Sequence, residues 1–172
     1  MKRGPVRRLE LARERAPVRV RSARRADRAA VTALWSEADR LHSALHPGYF
    51  RGDGRLDPRL EAAFDRLSDG RELLVADRGA KVIGFVLVEL LEPARLGRVV
   101  TGRRGHIDTL VVAVEARRTG CGRQLVEAAV AWARARRAEE LLLTVWSGNE
   151  AAERFYERLG LSAVSRVMRL PL

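Results

Sequence analysis

The chain has 172 residues, of which 47% are apolar and 32% are charged, and it contains one cysteine. That length suits a single domain whose core is stable without a disulfide or a structural metal. One cysteine also excludes an internal disulfide framework and multi-cysteine metal sites. No apolar run reaches the ~20 residues of a membrane helix, and no apolar segment follows the charged N-terminus as in a secretory signal, so we expect a cytoplasmic protein without a membrane partner.

The positive charge is concentrated at the N-terminus. The chain carries a net charge of +11, and residues 1–25 hold ten Lys or Arg against two Glu. We interpret residues 1–16 as a flexible basic arm and residues 17–172 as a single domain. Nearly all the basic residues are Arg and Ala is abundant, as a GC-rich genome would produce, so the charge alone does not indicate a nucleic-acid partner. A contact of the arm with nucleic acid or an acidic partner remains the alternative.

The first part of the domain predicts a strand over residues 18–21 and then two helices. The first helix begins at Asp27 as N-cap and ends at His46-Pro47-Gly48, and the second begins at Asp57-Pro58, where Asp caps and Pro suits the first turn. The apolar residues of each helix recur on one face: Val31, Leu34, Trp35, Ala38, Leu41 and Leu45 in the first, and Leu60, Phe64 and Leu67 in the second.

The rest of the chain predicts strands separated by two further helices. The first of these helices buries Leu125, Ala128, Ala129, Trp132 and Ala133, and the second ends at Gly160. In chain order we expect a hairpin of residues 73–76 and 82–90, a loop over 92–105, strands at 106–114 and 141–145, a helix over 152–159 and a last strand at 165–170. This order predicts an α+β fold with a strand–helix–strand crossover in its second half.

The turn between strand 106–114 and the following helix has the composition of an anion site. Gly120 and Gly122 let backbone amides approach a ligand, and the helix behind them presents unpaired N–H groups. Arg117, Arg118 and Arg123 add positive charge. The turn has neither the Gly-Lys-Ser/Thr of a P-loop nor the third glycine of a dinucleotide fingerprint. A pyrophosphate would fit it, and an ordinary glycine-rich turn is the alternative.

This turn resembles the acetyl-CoA loop of the GNAT superfamily of N-acetyltransferases, which reads Arg/Gln-x-x-Gly-x-Gly/Ala after a central strand. Here Leu110-Val111-Val112 leads into Arg117-Arg118-Thr119-Gly120-Cys121-Gly122. A second family motif follows in the order that the family has. This motif consists of the strand Leu142-Leu143-Thr144-Val145, then Asn149, Ala152, Phe155-Tyr156 and Leu159-Gly160-Leu161. The whole resemblance runs from Val18 to the end of the chain.

The resemblance implies a GNAT-like mixed, mostly antiparallel central sheet flanked by helices, with the β-α-β crossover at the CoA loop. It also implies acetyl-CoA as co-substrate, with the pyrophosphate on the loop amides, the pantetheine arm paired to the strand before it, and Asn149 bonded to that arm. Tyr156 would act as general acid on the leaving thiolate. The implied acetyl-CoA-binding residues are Leu110, Val111, Val112, Arg117, Arg118, Thr119, Gly120, Cys121, Gly122, Arg123 and Asn149. Arg118 stands where the family often has Gly, and we interpret Cys121 as a small buried hydrophobe.

An amine acceptor with a pKa near 10.4 is rarely neutral at pH 7, so we expect a base or a proton-carrying water chain. His106 and Asp108 lie two apart on the strand before the loop, where family members that use a side-chain base often carry it. Both are candidate catalytic residues, with Glu89 a weaker one. The alternative is that one faces solvent while the other caps a loop.

Three further features have competing interpretations. His42 and His46 belong to the region that lines the acceptor pocket in the family, but solvated polar residues would fit as well. Trp35, Trp132 and Trp146 are predicted core residues, although Trp146 would also fit the border of the acceptor site. No two histidines have metal-ligand spacing with a carboxylate, so we predict no metal.

The leading hypothesis is therefore an acyltransferase that transfers the acetyl group of acetyl-CoA to a primary amine by direct attack in a ternary complex. The amine could belong to a small molecule or a protein, and since dimers are common in the superfamily a homodimer is compatible with this hypothesis. One alternative is a regulatory module that senses CoA without turnover. Another is an RNA-directed acetyltransferase that uses the basic arm.

Overall fold

The computed structural model describes residues 16–50, 52–65, 70–96 and 99–170. Its main sheet has five strands in the order β1-β2-β3-β6-β7, and a separate two-stranded ribbon pairs β4 with β5. The strands are β1 (Arg19–Ser22), β2 (Arg71–Arg78), β3 (Lys81–Leu91), β4 (Ala94–Leu96), β5 (Val99–Thr101), β6 (Arg104–Val112) and β7 (Glu140–Leu143). The predicted arm falls almost wholly outside the described residues.

Within the described ranges four α-helices flank the sheet: α1 (Arg28–Leu45), α2 (Pro58–Ala63), α3 (Cys121–Ala135) and α4 (Glu150–Glu157). Asp57 caps α2 by accepting a hydrogen bond from the Arg59 amide at 2.7 Å. Asp27 lies at the N-cap position of α1, but its carboxylate binds Arg21 and the Arg24 amide instead of the helix amides. None of the helices in the described ranges is both long and apolar enough to cross a bilayer.

The sheet is antiparallel except at one edge. β1, β2, β3 and β6 pair antiparallel in succession, whereas β6 and β7 run parallel and are connected through α3. A parallel pair requires such a crossover, because a short turn cannot return the chain to the same end of the sheet. The predicted mixed, mostly antiparallel sheet with a β-α-β crossover is thus confirmed.

The core lies between the sheet and its helices. Val75, Phe85, Leu87 and Leu125 are fully buried there. The predicted apolar face of α3 is also buried, with Ala128 only partly so. Among the tryptophans Trp132 is buried, while Trp35 and Trp146 are half-buried. Leu67, predicted on the face of α2, lies outside the described residues.

Two predicted elements are wrong. The glycines and proline of residues 92–105 predict a loop, yet this stretch contains β4 and β5, because the β-branched run Val99-Val100-Thr101 favours a strand despite the flanking glycines. Residues 165–170 are predicted to form a strand, but the described chain from residue 161 onward is irregular. Val167 is 94% exposed there, so strand propensity without a pairing partner did not produce a strand.

Candidate active site

The glycine loop, residues 117–123, presents a cradle of backbone amides at the start of α3. Gly120 has a left-handed backbone (φ 88°), and a Cβ placed on it would meet no atom within 4 Å, so this backbone faces open space. The Gln124 amide donates to the Gly120 carbonyl at 3.1 Å, and the amides before it have no partner within the helix. Such a helix start is suited to binding an anion.

The strand that leads into the glycine loop has one free edge. β3 accompanies β6 as far as Val112, which pairs with Gly84, but β7 pairs with β6 only through Ile107. In the described part of the chain no strand covers residues 108–112 on the β7 side. An extended ligand with amide groups could add there as a further strand.

A β-bulge marks the point where the two parallel strands separate. Leu87 lies opposite Thr109 and Val88 lies opposite Ile107, so Asp108 is an extra residue on β6 without a cross-strand partner. Bulges interrupt the ladder and re-aim the side chains around them. This bulge therefore places Asp108 at the inner end of the free edge.

Helix α4 closes the other side of the glycine loop. Phe155 packs so tightly against the start of α3 that a Cβ on Gly122 would lie 3.1 Å from its ring. Gly122 thus permits close helix packing, a role that adds to the amide access predicted for it. The neighbouring Tyr156 is mostly buried, and burial raises the pKa of its hydroxyl to about 12. The hydroxyl therefore stays protonated at neutral pH.

Asn149 is the N-cap of α4. Its side-chain oxygen accepts a hydrogen bond from the Ala152 amide at 3.2 Å. The cap fixes the orientation of the side chain and leaves the two donors of its amide group unused by that bond. A donor facing a carbonyl of the pantetheine arm is therefore compatible with the predicted role.

Arg117 and Arg123 of the loop have partners within the protein. The Arg117 guanidinium donates to the Val112 carbonyl at 3.2 Å and lies 3.4 Å from the Glu37 carboxylate of α1. Arg123 pairs along its helix with Glu127 at 3.9 Å. A ligand that pairs with the Val112 carbonyl would therefore either share that oxygen with Arg117 or displace the arginine.

Sequence reasoning missed a fourth cation near the loop. Arg78, at the end of β2, donates to the Thr119 hydroxyl at 3.1 Å, and that hydroxyl in turn donates to the Ala116 carbonyl at 2.8 Å. The contact spans distant parts of the chain, so no local pattern indicates it. Cys121 is buried beside these residues as predicted, and burial raises the pKa of its thiol.

His106 and Asp108 come together with Glu89 at the bulge. One ligand atom of each of the three residues lies within 4.8 Å of the other two. His106 Nδ1 is 3.2 Å from Glu89 Oε1, and an arginine pairs with each carboxylate: Arg71 with Glu89 at 3.0 Å and Arg59 with Asp108 at 2.5 Å. The two candidate bases therefore share one charge-balanced cluster, and Glu89 belongs to it.

His42 and His46 belong to a different group, an aromatic cluster at the end of α1. His46 Nε2 lies 2.7 Å from the Ser147 carbonyl, which ties α1 to the segment that follows β7. Burial lowers the pKa of His42. Ring centroids lie 5.0 to 5.3 Å apart in the pairs His42–Phe50, Tyr49–Trp146, Phe50–Trp146 and His46–Trp146. The cluster borders the chain that leaves β7, and Trp146 is part of it rather than of the core.

Comparison with known families decides the classification. The model of the acetyltransferase (GNAT) family matches residues 36–161, which include the glycine loop, the bulge and Tyr156. The chain belongs to the GNAT acetyltransferase family. No curated protein sequence matches it. A crystal structure of a variant Bacillus halodurans protein has 26% identity and a TM-score of 0.82, with 90% of this chain and 99% of that one covered.

Two other solved structures that resemble this chain are described as proteins of different function. A transcriptional regulator from Bacillus halodurans C-125 is 25% identical, with a TM-score of 0.70 and coverage of 91% of this chain and 100% of that one. An aminoglycoside N-acetyltransferase in complex with CoA is 17% identical, with a TM-score of 0.67 and coverage of 91% and 95%. At that identity the second likeness supports the GNAT fold of this chain and nothing finer.

Proposed function

We propose that this GNAT protein transfers the acetyl group of acetyl-CoA to a primary amine within a ternary complex. The observation that carries the proposal is the continuity of the open β6 edge with the amide cradle of the glycine loop. A ligand with an extended amide arm and a pyrophosphate matches both surfaces at once. Acetyl-CoA has this form, and its thioester would then lie toward the bulge at Asp108.

Tyr156 and the His106–Asp108 cluster supply the proton chemistry in this proposal. The neutral amine nitrogen attacks the thioester carbon, and the C–S bond breaks with its electron pair on sulfur. Tyr156 gives its proton to that sulfur, because its buried hydroxyl is protonated at neutral pH. The acylated nitrogen loses one proton as the amide forms, and that proton restores the Tyr156 hydroxyl. Backbone N–H groups of the Val112 region would polarise the thioester carbonyl. An ammonium acceptor first loses a proton to the His106–Asp108 cluster, and this proton finally passes to solvent.

Calorimetric titration of acetyl-CoA tests the binding step. Wild type is compared with Gly120→Asp, which places a carboxylate into the anion cradle. The matched control is Gly160→Asp, because Gly160 has the same left-handed backbone (φ 90°) and equally open surroundings but lies at the end of α4. We expect Gly120→Asp to weaken binding at least tenfold and Gly160→Asp to leave it within about threefold. Absence of binding by folded wild type would refute the proposal.

Thiol release across an amine panel tests the transfer step. Sisomicin, spermidine, a lysine-containing peptide and an alanyl N-terminal peptide represent the acceptor classes. The similarity to a protein described as a transcriptional regulator supports a second candidate, a module that binds CoA without turnover. Binding of acetyl-CoA with no thiol release from any of these amines would favour that module.

A further inference from the structure

Three strands place Arg71, Glu89 and His106 in one cross-strand row. Arg71 lies directly opposite Glu89 in the β2–β3 pair, and Glu89 lies directly opposite His106 in the β3–β6 pair. The two oxygens of Glu89 are divided between its neighbours, Oε2 to the Arg71 guanidinium at 3.0 Å and Oε1 to His106 Nδ1 at 3.2 Å. Arg71 thus orients the Glu89 carboxylate, and Glu89 in turn orients the His106 ring.

The charge state of Glu89 determines which histidine nitrogen carries the proton. Partial burial raises the pKa of Glu89, but hydrogen bonds and charges from Arg71 and His106 outweigh it, and the net pKa is lowered. An ionised carboxylate only accepts hydrogen bonds. His106 Nδ1 must therefore be the donor in this contact, and the lone pair of the neutral ring lies on Nε2.

Asp108 has different hydrogen-bond partners from those of Glu89 and His106. Its Oδ1 accepts from the Arg59 guanidinium at 2.5 Å and its Oδ2 accepts from the Thr109 hydroxyl at 2.9 Å. Its side chain is 6% exposed, against 24% for that of His106. Both oxygens of Asp108 are thus engaged within the protein and its side chain is the less accessible of the two, whereas the His106 ring has only its Nδ1 engaged by Glu89.

Glu89, His106 and Asp108 are close enough to suggest a metal site, but the charge balance opposes it. Arg71 and Arg59 already compensate the two carboxylates. A divalent cation would have to displace both guanidinium groups or lie beside two positive charges. The arrangement is better suited to holding one neutral imidazole in a fixed orientation.

We propose that Glu89, itself held by Arg71, is a positioning residue that fixes the Nδ1–H tautomer of His106 and thereby makes Nε2 the proton acceptor of the reaction. This inference rests on the proposed acetyltransferase function. An ammonium acceptor gives one proton to Nε2, which yields the neutral amine and an imidazolium. The imidazolium remains bonded to the Glu89 carboxylate until it releases the proton to solvent. Asp108, which is paired with Arg59, has a structural role in which it stabilises the bulge.

The test combines imidazole ¹⁵N spectroscopy with steady-state kinetics of Glu89→Gln. The chain has three histidines, so His106 is assigned by comparison with His106→Gln. In wild type above pH 8 we expect the Nδ1–H tautomer. The glutamine amide can either donate or accept, so in Glu89→Gln both tautomers should appear. We expect kcat to fall at least about tenfold, with KM for the amine and the affinity for acetyl-CoA changed less than about threefold.

The matched control is Asp77→Asn. Asp77 is another carboxylate of the sheet paired with an arginine, and its side chain is 15% exposed against 17% for Glu89. It lies at the opposite end of β2, so its loss should leave the His106 tautomer unchanged and kcat within about twofold. A drop in kcat equal to that of Glu89→Gln would show a general structural effect and overturn the proposal.

The outcomes separate this inference from the proposed function. A wild type that turns over but shows the Nε2–H tautomer refutes the role of Glu89 alone. That role is also refuted if the tautomer and kcat of Glu89→Gln match those of wild type. A wild type without turnover for any amine refutes the acetyltransfer and, with it, the catalytic use of His106.

Discussion

At the scale of single residues, the burial of Tyr156 has a direct kinetic consequence. Its pKa is raised to about 12, so the hydroxyl keeps its proton throughout the range in which the protein can be assayed. We expect Tyr156→Phe to lower kcat by about a hundredfold, the usual contribution of a positioned acid, at every pH between 6 and about 10. Affinity for acetyl-CoA measured by calorimetry should stay within about threefold. A loss confined to high pH would contradict a protonated hydroxyl.

The left-handed backbone of Gly120 leads to a second prediction for a single residue, which concerns the stability of the fold. An alanine at φ 88° is strained although its Cβ would touch nothing. Gly120→Ala should therefore lower the free energy of unfolding by about 1–2 kcal/mol in a urea titration. Gly48 is the control, because its surroundings are equally open and its φ is not left-handed, so Gly48→Ala should be neutral or mildly stabilising. Equal effects of both variants would exclude strain at Gly120 as the cause.

At the scale of elements, Arg21 joins β1 to two neighbours. Its guanidinium donates to Asp77 on β2 at 2.7 Å and to Asp27 before α1 at 2.7 and 3.0 Å. The hydrogen bond from Arg21 lowers the pKa of Asp27 against the opposing effect of burial, and the Arg24 amide lowers it further. The connection from β1 into α1 is thus held by the Asp27 carboxylate.

This arrangement predicts a specific acid sensitivity. Because the pKa of Asp27 is lower in the folded state, its contribution is fully present above the unfolded value of about 3.9 and is lost as the pH falls through the folded value. Asp27→Asn should cost about 2 kcal/mol at pH 7, measured by urea unfolding. The difference from wild type should shrink as the pH falls from about 4 toward 2. A constant difference over that range would refute the linkage.

The elements that were predictable from sequence are those with a strong local pattern. The face of α3 and the capped start of α2 follow from residue spacing and from Asp57-Pro58, and the glycine loop follows from its motif. The irregular tail after residue 161 could not be predicted, because strand propensity does not reveal whether a partner strand is available. Neither could the bulge at Asp108, since a one-residue register shift depends on pairing with β3.

The residues of the candidate site also fall into two groups, those that a local sequence pattern predicts and those that depend on tertiary contacts. His106 and Asp108 were predictable because alternation along β6 places them together. Arg59, the partner of Asp108, lies 49 residues away from it along the chain, and Arg71, the partner of Glu89, lies 18 residues away, so only the folded chain brings these pairs into contact. Sequence patterns therefore identify which groups could carry protons, but the choice between His106 and Asp108 requires the tertiary contacts.

At the scale of the whole molecule, the crossover assembles the proposed ligand site, so binding there would be linked to folding. The glycine loop, the free edge of β6 and helix α4 come from three elements that contribute to one site, and each exists only in the folded chain. A ligand that binds this assembled surface and not the unfolded chain must stabilise the fold by mass action. Acetyl-CoA at a hundred times its dissociation constant should add about 2.7 kcal/mol.

For a domain of this size that stabilisation corresponds to a rise in Tm of about 5–10 °C, measured by differential scanning calorimetry. CoA without the acetyl group should give a similar rise, because the pyrophosphate and pantetheine contacts are shared. Gly120→Asp should show little rise, whereas Gly160→Asp, with the same backbone strain, should keep it. If both glycine variants retain the full rise, the nucleotide binds elsewhere on the fold. If acetyl-CoA leaves the Tm of wild type unchanged, the open edge and the cradle do not form its site.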